Sequence, residues 1–205
     1  MQTKHLHLVS FNVPFPANYG GVIDVFYKLK CLHQLGIKIH LHCFEYGREE
    51  APELNQICES VHYYPRKKGF VYSLHRLPYI VLTRQSEALI QNLLKDDYPI
   101  LLEGLHCCNL LGDERLKQRF KIFRESNIEH EYYYHLYKSE AKFWQKLFYF
   151  VESKKLKRFE KIVAQSQLML IVSQSDTAYF KQNFPQNKVE YLPSFHPHNA
   201  VESIV

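Results

Sequence analysis

Two adjacent glycines, Gly20 and Gly21, stand where a predicted strand gives way to a predicted helix, in the run FNVPFPANYGGVIDVFYKLKCLHQLG. Glycine lets the backbone approach a ligand closely, and free N–H groups at a helix start attract anions such as a diphosphate. The alternative is a turn that requires a positive φ. The spacing is not Gly-x-Gly-x-x-Gly, and no acidic residue ends the second predicted strand where that motif expects one. Both observations disfavour a cofactor-dependent oxidoreductase.

A second group of chemically capable residues follows the strand in YPILLEGLHCC. Glu103 and His106 come at or just after its carboxyl end, where a neutral imidazole could hydrogen-bond a hydroxyl group of a ligand. The alternatives are a packed histidine satisfied by the backbone and a glutamate that only ends the strand. The neighbouring Cys107 and Cys108 are typical of core packing rather than of a nucleophile.

A third group follows the strand in RFKIFRES. Arg124 has the planar fork that binds phosphate or carboxylate, although an ion pair with Glu129 or Glu131 would use it equally well. Asn127 precedes a predicted helix that starts at Ile128, and capping that helix is its expected role.

The elements that must position these residues are strands alternating with helices, which predicts an α/β, Rossmann-like, doubly wound parallel sheet with helices on both faces. Helix 22–35 has one apolar face and ends at Gly36, and Ser86 is expected to cap another helix. The predicted strands are HLHLVSF, IKIHLHCF, SVHYYP, YPILLEG, RFKIFRES, LMLIVSQ and KVEYLP.

Composition limits the class of protein. The 205 residues, 46% of them apolar, can bury one substantial core, and no window is apolar enough to span a membrane. Five cysteines without a Cys-x-x-Cys pair indicate reduced thiols in a cytoplasmic protein. His5 and His7 share one strand face, as do His40 and His42. They could bind zinc, but hydrogen bonds are expected and no metal is predicted.

Residues 128–166 predict two consecutive helices with a bend, and they carry an apolar stripe beside a basic face. The net charge of +5 raises nucleic acid as a partner, but no nucleic-acid motif accompanies the lysines. The mixture of aromatic and basic residues suits peripheral contact with an anionic membrane better. Its members are Lys142, Trp144, Lys146, Phe148, Tyr149, Lys154 and Lys155.

Three stretches together resemble the N-terminal domain of glycosyltransferase family 4 enzymes of the GT-B fold. VPFPANYGGVIDVFYKLKCLHQLGIKIHLHCF is similar to the glycine-pair loop, helix and strand that open that domain. ILLEGLHCCNLL is similar to the segment that carries a histidine facing the interdomain cleft, and FRESNIEHEYYYHL to an Arg-x-His-Asn-hydrophobic-Glu segment. LMLIVSQSDTAYF with VEYLPSF is similar to the elements before the crossover into the second domain.

The resemblance implies a retaining, metal-independent glycosyltransferase that moves a sugar from a nucleotide-sugar donor to a saccharide or lipid-linked acceptor in polysaccharide or glycoconjugate synthesis. It requires no cofactor. His106 and Glu103 would line the acceptor side as catalytic candidates. The candidates for substrate or diphosphate binding are Gly20, Gly21, Arg124, Asn127 and Glu129. The alternative function is a non-catalytic Rossmann-like ligand-binding module.

The chain departs from the family pattern in two ways. Ser126 stands where the segment has histidine, so a role that needs an imidazole there is in doubt. The family also has a second, donor-binding domain with a pair of glutamates separated by seven residues. Two pairs in this chain have the same spacing, but Glu152/Glu160 lies on a basic helix and Glu45/Glu53 in a loop, so neither is taken as that pair. The expected organisation is an acceptor-side domain over 1–192 and a poorly ordered linker over 193–205, leading to a missing C-terminal domain.

Overall fold

A computed structural model describes residues 4–197, which form one seven-stranded sheet in which every strand pair is parallel. The spatial order is β3-β2-β1-β4-β5-β6-β7, so the direction of winding reverses between β1 and β4. The expected Rossmann-like fold is confirmed. The strands are β1 (His5–Ser10), β2 (Lys38–Glu45), β3 (Ser60–Pro65), β4 (Ile100–Glu103), β5 (Lys121–Arg124), β6 (Leu168–Ile171) and β7 (Val189–Tyr191).

Helices and short 3-10 segments make the crossovers. The α-helices are α1 (Gly20–Gln34), α2 (Tyr79–Leu82), α3 (Glu87–Leu93), α4 (Glu129–Ser139), α5 (Phe143–Phe159) and α6 (Gln174–Asn183). Gly36 closes α1 with φ +74°, and the Ser86 hydroxyl accepts a hydrogen bond from the Leu89 N–H, so both predicted caps are confirmed. The 3-10 segments are Pro52–Gln56, Phe70–Leu74, Leu105–Gly112, Glu114–Leu116 and Glu160–Gln165.

Two hydrophobic cores cover the two faces of the sheet. In β1, Leu8 belongs to one core and Val9 to the other, because successive side chains of a strand point to opposite faces. α1 packs against the Leu8 core through Val25 and Leu29, which are buried. This two-sided burial explains why the strands read as nearly continuous apolar runs.

Four strand histidines form a hydrogen-bonded cluster, called here the histidine ladder, whose members are His5, His7, His40 and His42. His62 stacks on His42 with ring centroids 5.2 Å apart. The ring nitrogens of His7 and His42 lie 2.9 Å apart, and the other nitrogen of His42 is 2.8 Å from the Tyr64 hydroxyl. His5 and His40 pair at 3.0 Å, and Asp96 binds His7 at 2.9 Å. The expected hydrogen-bonded role is confirmed. Within residues 4–197 no three His, Cys, Asp or Glu side chains are grouped as a metal site requires.

The predicted pair of helices with a bend is confirmed as α4 and α5, which are separated by Glu140–Lys142. The apolar stripe divides in two: Phe159, Ile162 and Val163 pack on the core, whereas Phe143 and Leu147 are exposed. None of the helices within residues 4–197 has the length and hydropathy needed to cross a membrane.

One strand differs from its predicted length. β2 extends to Glu45, so an acidic residue does end this strand, contrary to the sequence prediction. The glycine spacing therefore carries the argument against a dinucleotide site by itself.

Candidate functional site

A cleft of about 690 Å³ opens at the carboxyl ends of the central strands. It lies above the point between β1 and β4 where the winding reverses, which is where doubly wound sheets bind ligands. The loop after β1, the segment after β4 and the start of α4 supply its walls. The lining includes Phe11, Tyr19, Gly20, Gly21, Asp24, His106, Asn127, Glu129, Tyr133 and Phe195.

The two glycines begin α1, and they differ in their surroundings. Neither has a positive φ, so the turn alternative is wrong. A Cβ on Gly20 would meet nothing within 4 Å, whereas a Cβ on Gly21 would lie 2.8 Å from the Phe11 ring. No side chain caps α1, and its first turn has no acidic residue. Among residues 4–197 no side-chain hydrogen bond to the first N–H groups of α1 is found, so these groups can bind an anion.

His106 lies in the 3-10 segment Leu105–Gly112 and borders the cleft. Its Nδ1 is buried 3.8 Å from Glu129 Oε1 and has no hydrogen-bond partner among residues 4–197, and 17% of its side chain is exposed. Burial, followed by the positive charges of Arg84 and Arg66, holds the pKa of His106 well below its usual value. The imidazole is therefore neutral and can donate from one nitrogen and accept at the other.

Gly104 makes room for this imidazole. Its φ is +69°, and a Cβ at this position would lie 2.9 Å from His106 Nδ1. The Phe11 ring packs on the other side, with ring centroids 5.2 Å apart. Sequence reasoning missed the roles of both residues, although a glycine directly between a buried strand and a histidine is a usable signal.

Two carboxyl groups near the cleft hold protons more tightly than usual. Burial and the neighbouring Glu125 raise the pKa of Glu129 to about 8. Burial raises the pKa of Glu125 to about 7; its Oε2 accepts a long hydrogen bond from the Val172 N–H, and its Oε1 has no partner. Glu125 was missed by sequence reasoning, because nothing in FRESN distinguishes it from a surface glutamate.

Arg84 supports the cleft from below. Its Nε donates to the Phe11 carbonyl at 2.8 Å, and another guanidinium nitrogen donates to the Ile80 carbonyl at 2.8 Å. Burial lowers its pKa to about 10, which leaves it charged at neutral pH. A buried positive charge beside His106 explains in part why that imidazole stays unprotonated.

Glu103 and Arg124 lie in an ionic network beneath the cleft floor. Lys28 donates to both Glu103 oxygens, at 2.8 and 2.9 Å, and to Asp24 at 2.9 Å. Burial raises the pKa of Glu103, and Lys28 opposes that shift. Because its carboxylate is fully occupied and buried, Glu103 is placed as a strand-end structural group. The spacing of Asp24 and Lys28, four residues apart on a helix, is the signal that could have shown this pairing.

Arg124 is wholly buried and holds the chain after β7. Its guanidinium donates to the carbonyls of Leu192 and Pro193 and to Asp24, rather than to Glu129 or Glu131. Asp24 also accepts a hydrogen bond from the Phe195 N–H at 2.7 Å. These hydrogen bonds hold the chain as far as Phe195, and the expected lack of order after Pro193 stays a prediction. Residues 198–205 of that predicted linker lie outside the described residues.

The structure therefore brings Gly20, Gly21, His106, Asn127 and Glu129 to one cleft and sets Glu103 and Arg124 below it. The expected cap at Asn127 is wrong: Ile128 occupies the cap position of α4 and no side chain caps this helix, which leaves Asn127 exposed on the cleft wall. Burial raises the pKa of Cys107 to about 12 and holds the pKa of Cys108 well above its usual value, so neither supplies a thiolate nucleophile.

The two glutamate pairs have structural surroundings. Glu152 accepts hydrogen bonds from the Tyr79 N–H and from Lys155, and Glu160 contacts His130 and Tyr179. These contacts agree with treating the Glu152/Glu160 spacing as coincidental. Glu45 ends β2, and Glu53 lies in the 3-10 segment Pro52–Gln56.

Comparisons with known proteins give one curated relative and several solved structures. No family model matches. An uncharacterized 44.6 kDa protein in the cps region of Klebsiella pneumoniae is 29% identical over 199 residues, which cover 93% of this chain and 49% of that protein. The chain therefore spans about half the length of this relative.

Several of the similar solved structures are GT-B glycosyltransferases. Phytolacca americana UGT2, complexed with UDP-2-fluoro-glucose and pterostilbene, has a TM-score of 0.57 at 13% identity, over 94% of this chain and 55% of its own. Arabidopsis thaliana UGT89C1 with UDP-L-rhamnose has a TM-score of 0.56 at 12% identity, over 97% and 51%. Medicago truncatula UGT71G1 with UDP-glucose has a TM-score of 0.53 at 9% identity, over 98% and 54%. At these identities the likeness shows a shared glycosyltransferase-type fold, and membership of family 4 stays a prediction.

Proposed function

We propose that this chain is the acceptor-side domain of a retaining GT-B glycosyltransferase. The observation that carries the proposal is the neutral His106 facing the uncapped start of α1 across a cleft at the reversal point of the sheet. The reaction transfers a sugar from a nucleotide-sugar donor to a saccharide or lipid-linked acceptor. The cps region in the name of the curated relative supports a role in polysaccharide synthesis.

The start of α1 is suited to the donor diphosphate. Within the described part of the chain its first N–H groups have no side-chain partner, a Cβ on Gly20 would meet nothing within 4 Å, and its first turn has no carboxylate to repel an anion. In the transition state, negative charge builds on the departing diphosphate, and preorganised N–H groups stabilise such charge. This role requires no metal and no resident cofactor.

His106 is suited to orienting a sugar hydroxyl. Its Nδ1 is buried, so the exposed part of the ring is the part that carries Nε2. Glu129, with a pKa of about 8, is mostly protonated at neutral pH. Its carboxyl O–H can donate a hydrogen bond to Nδ1 once the 3.8 Å contact tightens on ligand binding. Nε2 then carries the hydrogen and donates it to a hydroxyl oxygen of the substrate.

The whole protein is proposed to contain a second domain that binds most of the nucleotide sugar. The support is that the chain spans about half the length of the curated relative and of the solved GT-B structures. In this proposal residues 1–192 form the acceptor side, and residues 193–205 lead toward the second domain. Hydrogen bonds from Arg124 to the Pro193 carbonyl and from the Phe195 N–H to Asp24 fix where the chain leaves the sheet. Asn127 on the cleft wall is the remaining polar contact proposed for the substrate.

The test uses the full-length protein that contains this chain, a panel of nucleotide sugars and lipid extract or saccharide acceptors. We expect His106→Ala to lower the rate of sugar transfer about 100-fold, within the range for loss of a positioned acid or base, with circular dichroism unchanged. His33→Ala, which alters an exposed histidine of α1, is the matched control. NMR of the product should show a retained anomeric configuration.

Two results would contradict the proposal. Equal transfer rates in the His106 and His33 variants would remove His106 from the site. Tight binding of a small ligand by a protein that transfers no sugar would instead support the non-catalytic binding module.

A further inference from the structure

An exposed apolar surface lies away from the cleft, on the first half of α5 and on the 3-10 segment Phe70–Leu74. Trp144 and Phe70 are each 77% exposed, which is unusual for side chains of this size. We call this surface the α5 patch; its members are Phe70, Val71, Leu74, Phe143, Trp144, Leu147, Phe150 and Val151.

The two segments of the α5 patch are neighbours in space, although they are distant in the sequence. Phe150 borders one groove with Phe143 and Leu147 and a second groove with Leu74. The Lys155 ammonium group also donates to the Ser73 carbonyl at 2.6 Å, which ties the 3-10 segment to α5. The apolar side chains thus form one surface rather than scattered exposed residues.

The first half of α5 stands clear of the sheet. None of residues 143–151 is buried, whereas Glu152, Ser153 and Leu156 in the second half are. The first half is supported by α4 through ring contacts, including Tyr137 with Phe150 at 5.2 Å. At 1.5 Å per residue the nine residues span about 14 Å, enough to present their side chains beyond the body of the domain.

The charge around the α5 patch is mostly positive, although Glu140 accepts a hydrogen bond from the Lys142 N–H beside the start of α5. Residues 141–158 contain six basic residues and one acidic residue, Glu152, which is buried and paired with Lys155. Residues 66–78 contain basic residues and no acidic one. The basic residues of the two segments are Arg66, Lys67, Lys68, Arg76, Lys142, Lys146, Lys154, Lys155, Lys157 and Arg158.

We propose that the α5 patch docks on an anionic lipid bilayer. Exposed aromatic and aliphatic tips can enter the interface between headgroups and acyl chains, while surrounding lysines bind lipid phosphates. A second copy of this chain fits less well, because a symmetric contact would set the same positive charges against each other. The proposal is independent of sugar transfer, since lipid binding is measured without a substrate.

Trp144 is the only tryptophan of the 205 residues and lies in the α5 patch, so its fluorescence reports directly on docking. We expect vesicles of phosphatidylcholine with phosphatidylglycerol to shift its emission to the blue and brominated acyl chains to quench it. Pure phosphatidylcholine vesicles should bind about tenfold more weakly or worse, and added salt should weaken binding to the anionic vesicles. No shift and no co-sedimentation with anionic vesicles would overturn the proposal.

Leu74 and Leu35 provide a matched pair, because they are 73% and 76% exposed and only Leu74 belongs to the α5 patch. Leu74→Glu should weaken binding to anionic vesicles about tenfold or more, whereas Leu35→Glu should leave it unchanged. Equal effects of the two substitutions would reject the α5 patch.

Two further results would assign the α5 patch to another partner and overturn the proposal. If light scattering shows a dimer and Leu74→Glu dissociates it, the surface binds a second copy of this chain. If duplex DNA abolishes vesicle binding at physiological salt, the surface binds nucleic acid.

Discussion

Histidine side chains are buried both in the strands and at the carboxyl edge of the same sheet, and the two regions differ in how many ring nitrogens are hydrogen-bonded. In the histidine ladder, both ring nitrogens of His7 and of His42 have hydrogen-bond partners. At the carboxyl edge, Nδ1 of His106 is buried with none. The other two orphaned buried side-chain atoms found among residues 4–197, on Arg124 and Glu125, lie at this same edge.

The difference separates a structural cluster from a site. A folded domain pairs nearly all of its buried polar groups, so unpaired ones need an explanation, and a catalytic role is one such explanation. Within the histidine ladder, His7 and His42 have both ring nitrogens paired inside the fold, which leaves these two rings no capacity for a substrate. The carboxyl edge combines unpaired groups, a neutral imidazole and two carboxyl groups of raised pKa, which is the pattern of a binding or catalytic site.

The largest expected effect breaks the histidine ladder. His42→Ala should lower the free energy of unfolding by about 3 kcal/mol, because it leaves His7 without its histidine partner, removes one partner of Tyr64 and opens a cavity. Denaturant unfolding monitored by circular dichroism measures this. His106→Ala, which removes no hydrogen bond of the ring, should cost less than about 1 kcal/mol, so equal losses would erase the contrast between the two regions.

The next effect acts on the packing beneath His106. Gly21→Val should lower the free energy of unfolding by about 2 kcal/mol, because the new side chain meets the Phe11 ring that packs on His106. Gly20→Ala is the control, and its Cβ meets nothing within 4 Å. A Gly21→Val protein with unchanged stability would show that Phe11 moves aside freely.

The smallest effect concerns pH. Because the pKa of Glu129 is about 8, its carboxyl group is protonated below pH 8 and ionised above it. The ionised carboxylate would accept a hydrogen bond from Nδ1–H of His106, and Nε2 of the neutral ring would then carry no hydrogen. Sugar transfer should therefore fall about tenfold as pH rises through 8. Glu129→Gln keeps an N–H donor at all pH values, so its transfer rate should not fall there. A variant that keeps the alkaline fall would assign it to another group.

Much of the architecture could be predicted, since periodicity and caps are local signals. All seven strands were predicted, and the caps at Gly36 and Ser86 were correct because each depends on a few consecutive residues. The cleft was predicted partly: the glycine pair and His106 follow from their place at strand ends. Glu103 and Arg124 follow the same rule and yet lie beneath the cleft, because Lys28 and Asp24 reach them across the fold.

The sequence by itself determined the α/β class, the parallel sheet and the position of the cleft, because alternating apolar strands and helices admit few right-handed, parallel arrangements. The tertiary structure decided which polar groups are paired. The Phe195 N–H bonds Asp24, which is 171 residues away, and no local pattern encodes such a contact. Which side chains are buried likewise depends on the packing of distant elements. Burial raises the pKa of Glu129 and keeps His106 neutral, and the same packing leaves half of one apolar stripe exposed.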